Sequence, residues 1–260
     1  MNKIILILFV TTLPQVLFAQ SFLKTANDHI MKTGNIAASL KASYFKHLKA
    51  FDNKSQATEI INSPTLNVIT GLGKRADFEL NWDMFRFVTI PFASHVSSYT
   101  DIGDLSFFAK INIFSENILP SLNVRIGAKM PNASNERYTG TDLADTFAGV
   151  VSGKTIGSLH IFSNLGVEIL GNTTTDGQDD ALSYGLACSY SLFQHWLWSS
   201  EINGRYEKPL SNVNQSILKT GLTYLYRDWK FDLGISGRLL TQNSESFGIT
   251  AGITNTFHAF

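Results

Sequence analysis

Charged side chains in this chain recur at spacings of two and four. Asp77, Glu79, Asn81 and Asp83 stand at alternate positions, as do Lys230 and Asp232. Arg125 and Lys129 stand four apart, as do Glu201 and Arg205, and Lys110 shares its parity with Asp104 and Asn112. In a strand such spacing puts side chains on one face. Acid and base columns facing each other across an interior could set up a transverse field that orients a polar solute. They could equally neutralise one another and fill that interior. His160 sits on the same polar parity, but hydrolysis needs a nucleophile beside a base that a third group orients. No motif supplies those partners, so His160 reads as a polar interior residue and no catalytic residue is assigned. Asp176-Gly177-Gln178-Asp179-Asp180 clusters carboxylates without the spacing of a calcium loop, and reads as a solvated loop tip. No metal site and no cofactor are expected.

Elements must place these columns, and composition narrows which. The 260 residues carry 21 basic and 21 acidic side chains, one cysteine, 19 Gly and 19 Phe. Zero formal charge gives no electrostatic footprint for nucleic acid. A single cysteine excludes an intramolecular disulfide and a multi-cysteine zinc site. Charged residues make up 16%, below the roughly 25% usual for a soluble domain. Yet no apolar run reaches the roughly 18 to 20 residues of a spanning helix.

The start of the chain reads as an export signal. Met1-Asn2-Lys3 gives a short positive start, Ile4 to Val10 is unbroken apolar, and Ala19 marks the cut, so 1–19 is taken as a cleaved signal peptide of a bacterial protein. Residues 20–34 follow as a periplasmic segment, polar and with little period, which could also fold into an interior.

From there period two dominates. Leu182, Tyr184, Leu186, Cys188, Tyr190 and Leu192 alternate with Ala181, Ser183, Gly185, Ala187, Ser189 and Ser191. Trp229, Phe231, Leu233 and Ile235 alternate with Lys230, Asp232, Gly234 and Ser236. Faces of opposite character see opposite solvents, so these are strands. Twelve are expected, at 36–48, 64–72, 76–88, 103–114, 121–131, 142–153, 157–170, 181–192, 196–208, 215–227, 229–239 and 247–258. Short connections near 73–75, 115–120, 154–156, 193–195 and 227–228 alternate with longer polar ones near 49–63, 89–102, 132–141, 171–180, 209–214 and 240–246. An even count of strands of about ten residues with a short–long rhythm predicts an all-β, closed, antiparallel up-and-down transmembrane barrel spanning 35–260.

On that reading the apolar column meets lipid and the columns of the opening paragraph line the lumen. Tyr190, Trp196, Tyr226, Trp229 and Phe257 fall beside short turns, as one interfacial ring. Tyr184, Tyr206 and Phe247 would form a thinner opposite ring. Cys188 lies on the lipid parity. Phe260 is the terminal aromatic by which such barrels engage the assembly machinery. The last apolar column has odd parity, however, so either a bulge shifts it near His258 or Phe257 is the strand end.

A resemblance appears at Gly103-Asp104-Leu105, Phe108-Ala109-Lys110, Leu119-Pro120-Ser121 and Gly127-Ala128-Lys129-Met130-Pro131. Together with Thr139-Gly140-Thr141-Asp142 before the Gly149 strand, and Gly71-Leu72-Gly73 before Asp77, these resemble the "MetA-pathway of phenol degradation" family of outer-membrane proteins. Asn132-Ala133 departs from that family's small residue and glycine after the proline. The resemblance implies a barrel transporter and names no solute. The combined expectation is an outer-membrane channel, not an enzyme, passing small polar or aromatic solutes passively. Its partners would be membrane lipid and the assembly machinery, and not nucleic acid. The alternative is a closed barrel that serves structure or binds a partner through its loops.

Overall fold

The computed structural model describes residues 22–51, 54–92, 94–171, 179–207, 214–239 and 245–259. The expected signal peptide, most of the expected 171–180 loop and Phe260 lie outside these residues, while Asp179 and Asp180, read as part of a loop tip, begin a strand.

Alternation becomes fourteen strands among the described residues: β1 (Asn35–Phe51), β2 (Lys54–Gly71), β3 (Ala76–Asp83), β4 (Arg86–Pro91), β5 (Val96–Asp101), β6 (Leu105–Phe114) and β7 (Ser121–Met130), then β8 (Asp145–Ile156), β9 (Leu159–Leu170), β10 (Asp179–Phe193), β11 (Trp196–Glu207), β12 (Gln215–Tyr226), β13 (Trp229–Arg238) and β14 (Glu245–His258). Twelve of them pair antiparallel in the order β1-β14-β13-β12-β11-β10-β9-β8-β7-β6-β3-β2, and β2 returns to β1. The sheet therefore closes into a twelve-stranded barrel with no free edge around its girth. In hydrocarbon every backbone N–H and C=O needs an internal partner, and closure supplies it.

The remaining two strands correct the sequence reading. The stretch 76–88 is not one strand; it breaks at Met84-Phe85 into β3, which pairs with the end of β2, and β4, which pairs with Glu59–Asn62 of β2. The expected loops 49–63 and 89–102 are largely strand as well, and β5 returns along β4. Together β1, β2, β4 and β5 extend the sheet beyond the rim where β14 begins. Polar strands outside the bilayer carry no apolar column, so a pattern tuned to lipid-facing strands passes over Val96-Ser97-Ser98-Tyr99-Thr100-Asp101. At the opposite rim the expected turn at 154–156 lies one step later. Lys154-Thr155-Ile156 complete β8, and Gly157, at φ 61°, opens the two-residue turn to β9. Arg227, at φ 54°, does the same between β12 and β13, as the right-handed twist of a tight hairpin demands.

Burial is inverted relative to a soluble protein. Leu40, Leu186 and Leu233 are 48%, 55% and 60% exposed, whereas Asn123, Glu201, Thr223 and Thr254 are 0%, 1%, 0% and 0% exposed. Apolar side chains face out all round the barrel and polar ones face in. Tyr190, Trp196, Tyr226, Trp229 and Phe257 are all exposed, at the rim of the short turns. On the other side Tyr206 and Phe247 are exposed, while Tyr184 lies over Gly204 and donates its hydroxyl to the Gln215 carbonyl at 3.3 Å. In the last strand the ladder with β1 runs unbroken from Phe247 to His258, its one shift lying at Lys46/His47. No bulge therefore moves Phe257 off the outer face.

Leu233, midway along β13, measures the solvent outside it. Leu233→Arg should cost about 2–4 kcal/mol of bilayer stability in a denaturant titration, as a charge on a lipid face does. A change under about 0.5 kcal/mol, typical of a watery surface, would contradict the lipid-facing assignment.

Candidate functional site in the barrel lumen

The charged solute-path candidates turn inward, but the columns do not oppose one another across the lumen. They pair with neighbours along the wall. Asp77 on β3 meets Lys110 on β6 at 3.4 Å. Glu79 receives Arg125 from β7 at 2.9 Å and also accepts from Asn67 and Asn81 at 3.1 and 2.8 Å. Lys129 lies 2.6 Å from Asp145 and 3.6 Å from Asp104, and Arg205 lies 3.8 Å from Glu168. Asp83 accepts from Thr65 at 2.6 Å and Asn62 at 3.1 Å. Buried Asp232 accepts from Thr223 at 2.5 Å and shares the inner face of β13 with buried Lys230. Of the two options, transverse field and mutual neutralisation, the arrangement of local pairs is that of the second. The reason is geometric: adjacent strands lie about 5 Å apart and next-but-one strands about 10 Å, within reach of long side chains and far closer than opposite walls.

Inward aromatics complete this wall. The Arg125 guanidinium lies 3.6 Å above the Phe108 ring and 5.6 Å from that of Phe147. Both rings stand on the polar parity, over glycines: a Cβ on Gly127 would collide with Phe108, and one on Gly149 or Gly166 with Phe147. Sequence reasoning passed over them because their apolar character conflicts with their parity. The glycines opposite were the available signal. Lys41 and Lys219, also missed, stand on the inner faces of β1 and β12, Lys219 in register with Glu201.

The interior is crossed by the chain itself. Residues 22–34, read as a periplasmic segment with a lumenal course as the other option, lie inside the barrel. Phe22, Leu23, Thr25, Asp28 and Met31 are buried there. This stretch forms almost no regular structure, so its backbone polar groups need partners from the wall. Glu201 accepts from the Thr25 N–H at 2.7 Å and from the Lys24 N–H at 2.8 and 3.1 Å. Asp77 accepts from the Met31 N–H at 3.0 Å. Lys110 donates to the carbonyls of Asn27 and His29, each at 2.7 Å, and Asn123 donates to that of Asp28 at 2.8 Å. Phe22 and Leu23 bury against Phe162 and Ala187, and Phe22 lies over Gly221 and Gly234, where a Cβ would crowd it. Glu201, Asp77 and Lys110, predicted as solute-path residues, therefore hold a plug.

Asp28 is its most heavily bonded side chain. His160 Nε2 lies 2.7 Å from Oδ1, His29 Nδ1 lies 3.5 Å from the same oxygen, and Ser121 donates to Oδ2. Gly153 leaves room that any side chain would take from this carboxylate. Burial by itself would raise the Asp28 pKa, but the bonds from His160, His29 and Ser121 outweigh it and hold the carboxyl well below the usual carboxylate range. His160 is thus not a lone lumen histidine. Its missing partners lay in an aperiodic segment that no spacing rule reaches.

Above the plug, toward the longer loops, lies a vestibule of about 470 Å³. Lys24 of the plug and Lys41, Arg125, Lys129, Glu168 and Phe147 of the wall line it. A smaller void of about 70 Å³ separates the plug from β2, β3, β6 and β7.

Solved outer-membrane β-barrels share this fold. The COG4313 outer membrane channel from Pseudomonas putida F1 superposes with a TM-score of 0.63 at 12% identity, covering 90% of this chain and 100% of that one. The translocator domain of autotransporter NalP from Neisseria meningitidis gives 0.54 at 11%, covering 86% and 88%. The KdgM porin in complex with disordered oligogalacturonate gives 0.51 at 9%, covering 86% and 99%. No family model matches the chain, and no curated protein matches it. The likeness shows the fold, a closed β-barrel of the kind found in outer-membrane proteins.

The plug's hold can be read amide by amide. Glu201→Gln keeps the side chain's shape but removes the charge that three N–H contacts share. Charge-assisted bonds contribute about 1.5–3 kcal/mol, so hydrogen exchange at the Lys24 and Thr25 amides should speed up about 10- to 100-fold while the β11 ladder keeps its protection. Unchanged exchange at those two amides would show that Glu201 does not anchor the segment.

Proposed function

We propose that this chain is an outer-membrane channel that passes small polar or aromatic solutes passively, with residues 22–34 as its constriction. The observation that carries this reading is the vestibule. It is open on the loop side, large enough for a small solute, and lined by the ion-paired Arg125, Lys129 and Glu168, by Lys24 and Lys41, and by the ring of Phe147. Charges already paired present alternating polarity without a deep trap, which suits passage better than tight capture. The Arg125 guanidinium over Phe108 also offers a flat cationic surface to a planar or anionic group. The resemblance to a transporter family and the likeness to a channel and a porin support the same reading. The reading involves no reaction and no cofactor, and it includes export through the 1–19 signal and recognition of Phe260 during assembly.

One observation favours the alternative of a closed, partner-binding barrel: the plug crosses the lumen and is bonded to several strands. Liposome swelling separates the two. With folded protein, swelling in small sugars or organic acids is expected, and deletion of residues 22–33 should raise the rate about tenfold or more, as removal of a constriction would. Absence of swelling both with and without the segment would leave the closed barrel standing. In the same vesicles Lys129→Glu, which reverses one charge on the vestibule wall, should shift reversal potentials toward cation preference. Unaltered selectivity would remove Lys129 from the solute path.

A further inference from the structure

His160 is held through both ring nitrogens. Its Nδ1 lies 3.1 Å from Thr155 Oγ1, and that hydroxyl donates its own proton to Glu116 Oε2 at 3.0 Å. Glu116, in the turn between β6 and β7, is a good acceptor. Slight burial would raise its pKa, but the Thr155 N–H and hydroxyl and the Lys154 ammonium hold it below its ordinary value. With the Thr155 hydroxyl given to Glu116, Nδ1 brings the hydrogen to Thr155. Nε2 then faces the Asp28 carboxylate at 2.7 Å, and that contact needs either a second ring proton or a cation shared by both atoms. His29 Nδ1 approaches the same oxygen at 3.5 Å, and its ring lies edge-on to that of His160 at 4.8 Å. One ligand atom from each of Asp28, His29 and His160 falls within 4.8 Å of the other two. Asp28 and His160 are buried and His29 is partly so.

We propose that Asp28, His29 and His160 form a divalent transition-metal site, suited to Zn²⁺, that staples the plug to the barrel wall. Two neutral imidazoles and one carboxylate are a zinc-type donor set, which leaves a fourth position to water. Bonds of about 2.0–2.2 Å at tetrahedral angles put donors about 3.3 Å apart. The Asp28–His29 spacing already matches, and the Asp28–His160 contact needs to open by about half an ångström. The outer contacts are those of a built site. Glu116 to Thr155 to His160 Nδ1–H fixes the tautomer that frees Nε2 for the metal, and Ser121 orients the second Asp28 oxygen. Residues 28 and 29 belong to the plug and residue 160 to β9, so the ion would join a segment without regular structure to the barrel. The site stands whether or not the vestibule conducts.

The test uses full-length, folded, metal-stripped protein in detergent. Equilibrium dialysis against Zn²⁺ with elemental analysis should give one zinc per chain. Co²⁺ in its place should give the visible absorption bands of a four-coordinate nitrogen–oxygen site. His29→Ala, on the half-exposed ligand, should abolish stoichiometric binding. Thr155→Val, which keeps shape but loses the outer hydrogen bond, should weaken it about 10- to 100-fold. Each variant is first checked for the heat-dependent gel mobility of a folded barrel. Zinc retained equally by His29→Ala would place the metal elsewhere and overturn the proposal. Failure of the wild-type chain to retain zinc would overturn it too, and would assign the cluster to a proton-bridged pair between His160 and Asp28. Neither result bears on swelling, so the two readings fail separately.

Discussion

The structure rests on one constraint: in a hydrocarbon layer the backbone has no water to bond. The ladder must therefore satisfy itself, and in a sheet that means closure of β2 onto β1. Closure fixes two faces of opposite character, because side chains alternate across the pleat. The outer column must be apolar, and the inner one faces a space too narrow to behave as bulk water. Charges gathered there need partners at close range, and the nearest lie on adjacent strands. Asp77–Lys110 and Lys129–Asp145 join adjacent strands, and Glu79–Arg125 reaches across one strand, β6.

A twelve-stranded barrel is wider than its own side chains can fill, lying between the filled interior of eight strands and the open channel of sixteen or more. Here the chain supplies part of the filling. The plug carries its own backbone polarity into the lumen, so its presence is conditional on acceptors and donors waiting in the wall. Glu201, Asp77, Lys110 and Asn123 provide them. Stripping one member from such a buried charged set leaves the others unpaired, at a cost of about 3–5 kcal/mol. The wall's polar pattern therefore serves two ends: it holds the plug on the turn side and lines a vestibule on the loop side.

What was legible in the sequence follows from this physics. Strand alternation, the lipid face, the ring of Tyr190, Trp196, Tyr226, Trp229 and Phe257, and the inward direction of each charged candidate all derive from a period of two. The plug was open only as a possibility, because it is held through its backbone, and any sequence has a backbone. Asp28 and His29 consequently carried no signal, and His160 read as isolated. Phe108 and Phe147 were hidden by a rule that assigns apolar residues to lipid. The β4–β5 extension was hidden because strands in water need no apolar column. β8 runs three residues past its expected end at 153, through the apparent turn, since Lys154 and Thr155 look like loop residues by composition alone.

Residues 22–34 lie inside the folded barrel. A Cβ on Gly185 would sit 3.3 Å from that of Thr25, close to the spacing of a disulfide. The direct measurement is oxidation of the double variant Thr25→Cys, Gly185→Cys, with Cys188→Ser removing the native thiol, in bilayer-inserted protein whose folding is verified by gel mobility. The account predicts near-complete crosslinking, read as a mobility change reversed by reductant. Two thiols that stay free and label independently in the folded barrel would place the segment outside the lumen and contradict it.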